Sequence, residues 1–304
     1  MDGSGARESS PQMSTSDPRD LDRGSLKFEV VAGTVAGLTE HTLIYPFDML
    51  RTRFQCAYGR RHTPTIRSLT SDIYRTEGIR GYFKGMSIIT YGAGPAHALY
   101  FGIYEYFKKL EEKKGQRTTG ILAMSSALST LAHDSIMVPT DSIKQRYQLK
   151  DCKFRSLRSC ASCVIRNDGI MSLYRSFFVQ LSMNIPFHFA NFYTYELTSR
   201  LFNTSNEYNP LVHSTCGILS GIAGAVLTNP MDVCKTYLNV EKIRTKAVIS
   251  NPLTALAMLQ RRIGIRGLFA GTIIRSLQVA PSTMASWSVY ELAKHLLTEK
   301  TNKN

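Results

Sequence analysis

Residues 46–51 read Pro-Phe-Asp-Met-Leu-Arg, a proline followed two positions later by an acid and five positions later by a base. The pattern returns at 139–144 as Pro-Thr-Asp-Ser-Ile-Lys, and at 230–235 as Pro-Met-Asp-Val-Cys-Lys. The three copies lie 93 and 91 residues apart. A single copy of so short a motif would not indicate a repeat, but three copies at nearly equal spacing indicate tandem units of roughly 95 residues.

Two more motifs recur in the same order. The stretch Glu-Gly-Ile-Arg-Gly-Tyr-Phe-Lys-Gly at 77–85 is echoed at 168–176 and 263–271. A tyrosine–glutamate pair then follows at 104–105, 195–196 and 290–291. Three ordered motifs predict three repeats, with boundaries at 25–114, 115–205 and 206–299. Residues 1–24, rich in Ser, Asp, Arg and Pro, are predicted to be a disordered tail, and 300–304 a short C-terminal tail.

Each unit has the pattern of a long helix, a loop, a short helix and a second long helix. The stretches before the repeated prolines, such as 121–138, are rich in small and apolar residues and hold few charges outside the motif positions. A soluble repeat array is the alternative, but its units are usually shorter. Helices with one face toward lipid and one toward a wet cavity would show this diluted apolar signal. We therefore predict an all-α membrane protein with six tilted transmembrane helices around a central cavity.

Composition narrows the functional classes. The 304 residues carry 37 Lys plus Arg against 23 Asp plus Glu, a net charge of +14 that suits a polyanionic partner. Nucleic acid is disfavoured because no basic face with interleaved aromatic residues lies outside the repeats. Cys160-x-x-Cys163 stands alone without a second ligand pair, which favours ordinary thiols over a zinc site. No nucleotide-binding motif or catalytic dyad is present, so transport is favoured over enzymatic catalysis.

Helical spacing places several histidines on the predicted cavity axis. Seven positions before a repeated aspartate, a residue lies about 20° from it on an ideal helix. His41 and Asp134 hold that position in the first two repeats, and His97 and His188 lie eight before the glutamates of the tyrosine–glutamate pairs. Neutral imidazole and carboxylate together suit Fe²⁺, Mn²⁺ or Zn²⁺. Anion transport is disfavoured because Arg275 is the one basic cavity candidate.

The triple Pro-x-Asp-x-x-Lys/Arg motif resembles the signature of the mitochondrial carrier family, over roughly residues 26–297. Smaller motifs, including Glu40-His41, His133-Asp134 and Met183-Asn184, resemble the mitoferrin branch, which moves iron into mitochondria. The resemblance implies a multi-pass protein of the inner membrane that imports iron(II) into the matrix. It also implies short helices on the matrix side, no cofactor, and iron(II) or a weak iron chelate as substrate.

Proline kinks bring three helix ends toward one axis, where neighbouring helices can pair their acids and bases. The resemblance implies that these acids and bases form a ring that acts as the matrix gate. It also implies that the glutamates of the tyrosine–glutamate pairs form a cytoplasmic gate. The kinks lie at Pro46, Pro139 and Pro230. The matrix gate comprises Asp48, Arg51, Asp141, Lys144, Asp232 and Lys235. The cytoplasmic gate comprises Glu105, Lys108, Glu196, Glu291 and Lys294, with Ser199 where the second repeat should have a base and Arg200 one place further on.

The expected substrate ligands are His41, His97, Asp134, Met183, Asn184, His188 and His213. His133 and His213 could instead hydrogen-bond to neighbours, and Met183 could fill a packing gap. The resemblance also implies cardiolipin sites at Phe83-Lys84-Gly85 and Tyr174-Arg175, and a monomer. Uniport driven by the membrane potential fits a divalent cation. A carrier of another metal or of a small organic solute, or a transport-inactive adaptor, remains open.

Overall fold

A computed structural model describes the backbone of residues 26–58, 63–114, 119–149, 154, 156–202, 210–240 and 251–282. Side chains are described within those ranges except at 26–38, 109, 111–123 and 210. The predicted tails and two predicted gate residues, Glu291 and Lys294, lie outside the described residues. The helices are α1 (Leu26–Ala57), α2 (Ile66–Glu77), α3 (Met86–Lys114), α4 (Thr119–Gln148), α5 (Leu157–Asp168), α6 (Phe177–Phe202), α7 (Pro210–Val240), α8 (Pro252–Leu268) and α9 (272–282).

The first two repeats follow the predicted order of a long, a short and a second long helix; in the third, α7 and α8 follow this order and α9 is described as far as residue 282. Short 3₁₀ turns at Ile79–Phe83 and Ile170–Tyr174 join the short helix to the next long one in the first two repeats. The described residues contain helices and connecting loops without strands. The predicted all-α fold built from three repeats is confirmed. By length and composition, one helix in the described ranges, Leu211–Val240, is apolar enough to cross a membrane.

Each repeated proline lies inside a long helix, with Pro46 in α1, Pro139 in α4 and Pro230 in α7. A proline removes one backbone donor and its ring crowds the preceding turn, so the helix bends there. Hydroxyls next to these positions take up backbone carbonyls on the same helix. Thr140 Oγ1 donates to the Ile136 carbonyl, and Thr228 Oγ1 donates to the Gly224 carbonyl, each at 2.7 Å.

A glycine with positive φ directly follows the short helices α2 and α5, and the equivalent glycine of the third repeat interrupts α8. Gly78, Gly169 and Gly264 have φ of 68°, 77° and 72°. Side chains other than glycine rarely adopt this conformation, so the recurring glycine of the second motif has a backbone reason. The turn reverses the chain and sends the following helix back alongside the first.

Candidate functional site

Three carboxylates and three cations form a closed ring where the bent ends of α1, α4 and α7 meet. Every neighbouring pair of these helices is linked by one ion pair. The links are Lys144 Nζ to Asp48 Oδ2 at 2.9 Å, Lys235 Nζ to Asp141 Oδ2 at 2.7 Å, and Arg51 Nε to Asp232 Oδ2 at 3.7 Å. The structure thus brings the six predicted matrix-gate residues together across helices.

The ring also contains pairs within single helices. Arg51 Nη2 lies 3.1 Å from Asp48 Oδ1, and Lys144 Nζ lies 3.1 Å from Asp141 Oδ1. Lys144 therefore bridges two carboxylates on different helices. The side chains of this ring are at most 16% exposed. Burial at this level makes removal of one partner costly, because its counter-charge would stay behind without compensation.

A layer of amides lies one to two turns beyond the ring, and the sequence interpretation missed it. Gln55 Nε2 donates to Asp232 Oδ2 at 2.8 Å and its Oε1 accepts from Thr236 at 2.7 Å. Asn239 donates to Gln145 at 2.9 Å, and Gln148 donates to the Tyr45 hydroxyl at 3.1 Å. A common spacing in the sequence could have revealed three of these amides. Each of them lies nine residues after a repeated proline: Gln55, Gln148 and Asn239.

Two buried arginines fasten short helices to long ones. Arg53 Nη1 lies 2.5 Å from Glu77 Oε1 at the end of α2, and Arg146 Nη1 lies 3.0 Å from Asp168 Oδ2 at the end of α5. Each also donates through Nε to a carbonyl of a neighbouring long helix, Arg53 to Gln148 and Arg146 to Asn239. Both arginines lie seven residues after a repeated proline, and the acids open the second motif.

The third repeat replaces this ion pair. Tyr237 takes the place of the arginine and Ile263 the place of the acid. The Arg262 guanidinium lies 5.0 Å above the Tyr237 ring, and the Tyr237 hydroxyl is buried without a hydrogen-bond partner. The first two repeats are thus fastened by buried ion pairs and the third by a cation–π contact.

This difference gives a matched pair of variants. Arg146→Leu leaves the partly buried Asp168 carboxylate without its cation, so we expect it to lower the free energy of unfolding by about 2 kcal/mol. Tyr237→Phe removes a hydroxyl that has no partner and keeps the ring under Arg262, so we expect no loss of stability. Thermal unfolding of the purified protein in detergent measures both. Equal melting temperatures for the two variants would contradict the assignment.

A cavity of about 170 Å³ lies directly against the ring. It is lined by His41 and Gln278 together with gate residues from two helices, Asp48 and Lys144 among them. His41, seven positions before Asp48, therefore lies next to the ring, as the helical spacing predicts. Gln278 accepts a hydrogen bond from Arg51 Nη1 at 3.2 Å, which connects α9 to the ring.

Three imidazoles follow one another away from this cavity. The ring centres of His41 and His97 are 5.8 Å apart, and those of His97 and His133 are 5.1 Å apart. His97 Nε2 is buried without a hydrogen-bond partner. The three side chains come from α1, α3 and α4, so the row crosses three helices.

Asp134 and Asn184 extend this row to α6. Asp134 is buried, and its Oδ1 lies 3.2 Å from His133 Nδ1. Asn184 Nδ2 donates to Asp134 Oδ2 at 3.0 Å, and Asn184 Oδ1 accepts from Gln180 at 3.2 Å. Met183, the neighbouring predicted ligand, is 8% exposed. In the part of the chain that the structure describes, no three His, Cys, Asp or Glu side chains converge as a preformed metal site.

A family model described as "Mitochondrial carrier protein" matches residues 28–115, 115–206 and 206–301, nearly the whole chain in three copies. The chain belongs to the mitochondrial carrier family. Human Mitoferrin-1 is 37% identical over 291 residues, covering 92% of this chain and 86% of that protein. Human Mitoferrin-2 is 37% identical over 89% of this chain and 77% of that protein. The Saccharomyces cerevisiae "Mitochondrial RNA-splicing protein MRS4" is 38% identical over 90% of this chain and 92% of that protein.

The end of the carrier opposite the ring has a different arrangement in the described residues. Glu105 pairs with Lys108 at 3.5 Å on α3, and Glu196 pairs with Arg200 at 2.9 Å on α6. Each pair lies within its own helix. Arg200, one place after Ser199, is the base that reaches Glu196. Among the described residues, the acids at this end pair within helices, whereas each acid of the ring pairs across helices.

Two predicted histidines lie apart from the row in this carrier. His188 is exposed, and its ring lies 5.7 Å from that of Phe187, whereas the helical spacing placed it on the predicted cavity axis. That spacing was counted from Glu196, and it fixes the angle between two residues of α6 rather than the face of α6 that meets the cavity. His213 Nδ1 lies 2.8 Å from the Tyr195 hydroxyl, at the far end of α6 and α7.

Arg275 is not available as an anion ligand, contrary to its role as the one basic candidate. It is 8% exposed, and its guanidinium donates to the Ala225 carbonyl at 3.2 Å and to Thr228 Oγ1 at 2.9 Å. Both acceptors lie on α7 within five residues before Pro230. Arg275 therefore links α9 to α7 beside this proline. Cys160 packs in a buried core with Val164 and Leu173, as expected for an ordinary thiol rather than a zinc ligand.

Proposed function

We propose that this carrier imports iron(II) into the mitochondrial matrix across the inner membrane. The observation that carries the proposal is the position of His41, which lines one cavity with the gate residues Asp48, Asp141 and Lys144. An imidazole at this position can bind an arriving cation next to the ion pairs of the gate, so that binding affects the gate directly. The names of the human relatives, Mitoferrin-1 and Mitoferrin-2, agree with this substrate.

The ligand chemistry suits an ion that must be released again. Imidazole nitrogens and carboxylate or amide oxygens bind Fe²⁺ without the strength of a closed thiolate site. The predicted set comprises His41, His97, Asp134, Met183, Asn184, His188 and His213. The row at His41 and His97 is the central part, and His213 beside Tyr195 would capture the ion near the cytoplasmic mouth.

Alternating access would use the two sets of ion pairs in turn. In this arrangement the ring of α1, α4 and α7 is closed, whereas Glu105 and Glu196 pair within their own helices, as expected for a carrier that faces the cytoplasm. Bound substrate tips the balance only if the two closures have similar free energies. A divalent cation gains about 4.6 kcal/mol per 100 mV by moving to the negative matrix side, which favours import by uniport.

Anionic lipid is the proposed second partner. A cavity of about 380 Å³ lies between the start of α3 and the start of α5 and is lined by Arg80, Lys84 and Gly85. Exposed backbone donors at helix starts together with these cations suit a phosphate headgroup such as that of cardiolipin. In the next repeat, burial and then the neighbouring charge of Arg146 lower the pKa of Arg175, so a phosphate there would stabilise a poorly solvated cation.

Flux measurements on purified protein in liposomes test the substrate. With Fe²⁺, Mn²⁺, Zn²⁺ and Cu⁺ held at equal free-ion activity under anaerobic conditions, we expect saturable Fe²⁺ uptake that a negative interior potential accelerates. Nucleotides and dicarboxylates should neither be taken up nor compete. Uptake of an organic solute in preference to every metal, or no uptake of anything, would overturn the proposal.

A further inference from the structure

The inference concerns His133, a residue outside the expected ligand set, and it rests on the proposed function. We propose that His133 is a direct substrate ligand and that Asp134 holds its ring in place. Asp134 was expected to bind the metal itself. The contacts of the row from His41 to Gln180 support the opposite assignment, in which His133 binds the ion and Asp134 orients the His133 ring.

Both oxygens of the Asp134 carboxylate are already engaged. Oδ1 faces His133 Nδ1 at 3.2 Å, and Oδ2 accepts from Asn184 Nδ2 at 3.0 Å. Asn184 is in turn held by Gln180. A carboxylate fixed from both sides on a 4% exposed side chain is poorly placed to turn toward an ion. It is well placed to orient an imidazole, as carboxylates commonly do for metal-binding histidines.

The contact with Asp134 also fixes which His133 nitrogen is available. An Nδ1–H that donates to Asp134 Oδ1 leaves Nε2 with its lone pair. The His133 ring approaches His97, whose Nε2 is buried without a partner. The His133 ring therefore lies beside an imidazole whose Nε2 makes no hydrogen bond, with the His41 ring next along.

The spacing of neighbouring rings in the row matches what an ion bound by two imidazoles needs. With metal–nitrogen bonds of about 2.1 Å, the ion lies roughly 3.2 Å from each ring centre, so rings at tetrahedral angles are about 5.3 Å apart. The observed separations are 5.1 Å for His97 and His133 and 5.8 Å for His41 and His97. Ring rotations without backbone movement would complete the site around the arriving cation. Such a site forms only when occupied, which suits transport better than a rigid one.

Cobalt(II) binding to the purified full chain in lipid nanodiscs tests the two roles, because its d–d absorption reports nitrogen ligands. His133→Gln keeps a donor toward Asp134 but has no imidazole lone pair, so we expect binding to weaken at least about tenfold. Asp134→Ala should weaken it by about 10- to 100-fold, as loss of an orienting partner does. Asp134→Asn keeps an acceptor for His133 and should stay within about threefold of the parent.

Ser135→Ala is the matched control, because Ser135 is exposed on the same helix and its hydroxyl donates to the Leu131 carbonyl one turn earlier. Wild-type affinity in His133→Gln, or equal losses in Asp134→Asn and Asp134→Ala, would overturn the inference. Iron uptake by the unmodified protein is measured separately. If cobalt binding depends on His133 and no iron is taken up, the proposed function fails and the ligand assignment stands.

Discussion

Lys144→Met is expected to be among the most damaging single changes in the ring. Lys144 contacts Asp48 Oδ2 at 2.9 Å and Asp141 Oδ1 at 3.1 Å, and its side chain is 7% exposed. Its removal leaves three buried carboxylates with two cations. Breaking a buried pair from one side costs about 3–5 kcal/mol, so the closed ring should be destabilised by that order. We expect a lower melting temperature and at least a tenfold loss of iron uptake.

The double variant Lys144→Met/Asp48→Asn separates loss of charge balance from loss of packing. It removes one acid along with the base, so the ring returns to two acids and two bases. Part of the lost stability should return, and the double-mutant cycle gives the coupling between the two residues. Arg200→Gln is the control at an exposed pair, where ion pairs contribute little. A melting temperature for Lys144→Met equal to that of Arg200→Gln would contradict a stabilising ring.

The residues of the ring could be predicted from the sequence because they belong to one short motif that occurs in all three repeats. An acid and a base at fixed distances after a proline, three times over, leave few alternatives once the helices bend to one axis. The positions of Asp48, Asp141 and Asp232 follow from helical geometry alone. His41, seven positions before Asp48, lines the same cavity as that aspartate, as the spacing predicts, although Pro46 lies between the two residues.

What escaped prediction depends on contacts between helices. Nothing in the sequence shows that Arg275 turns toward the Ala225 carbonyl rather than the cavity, because that choice depends on how α9 packs against α7. His188 was placed by counting eight positions back from Glu196, which fixes its angle relative to Glu196 but not the face of α6 that meets the cavity. The pairing of His133 with His97 joins α4 to α3 in a way that threefold symmetry does not suggest, because His133 precedes the symmetric position of Asp134 by one residue.

The side-chain contacts of the three repeats differ more than their shared motifs suggest. Arg53 and Arg146 pair with partly exposed acids, whereas Tyr237 lies under Arg262. The inter-helix link from Arg51 to Asp232, at 3.7 Å, is the longest of the three, and Gln55 supports it. The other link of α7, from Lys235 to Asp141 at 2.7 Å, is the shortest. By distance, the link between α1 and α7 is therefore the one that costs least to break.

The second large effect is expected from His41→Ala combined with His97→Ala. Their ring centres are 5.8 Å apart, and His41 lines the cavity beside the gate. Loss of two imidazole ligands, each contributing about 1.4 kcal/mol or more, should lower the apparent affinity for iron about a hundredfold. Each single variant should lose less than the double, because the remaining imidazole still binds.

Ligand-dependent stability distinguishes a lost site from a damaged fold. A ligand that binds only the folded protein raises the melting temperature with its concentration. Mn²⁺ should therefore stabilise the unmodified protein and fail to stabilise the double variant, while the metal-free melting temperatures stay similar. Tyr91→Phe, at an 81% exposed position on α3, should behave like the unmodified protein. If the double variant still takes up iron at the original rate, the ion does not pass along His41 and His97, and the path must run along another face of the cavity.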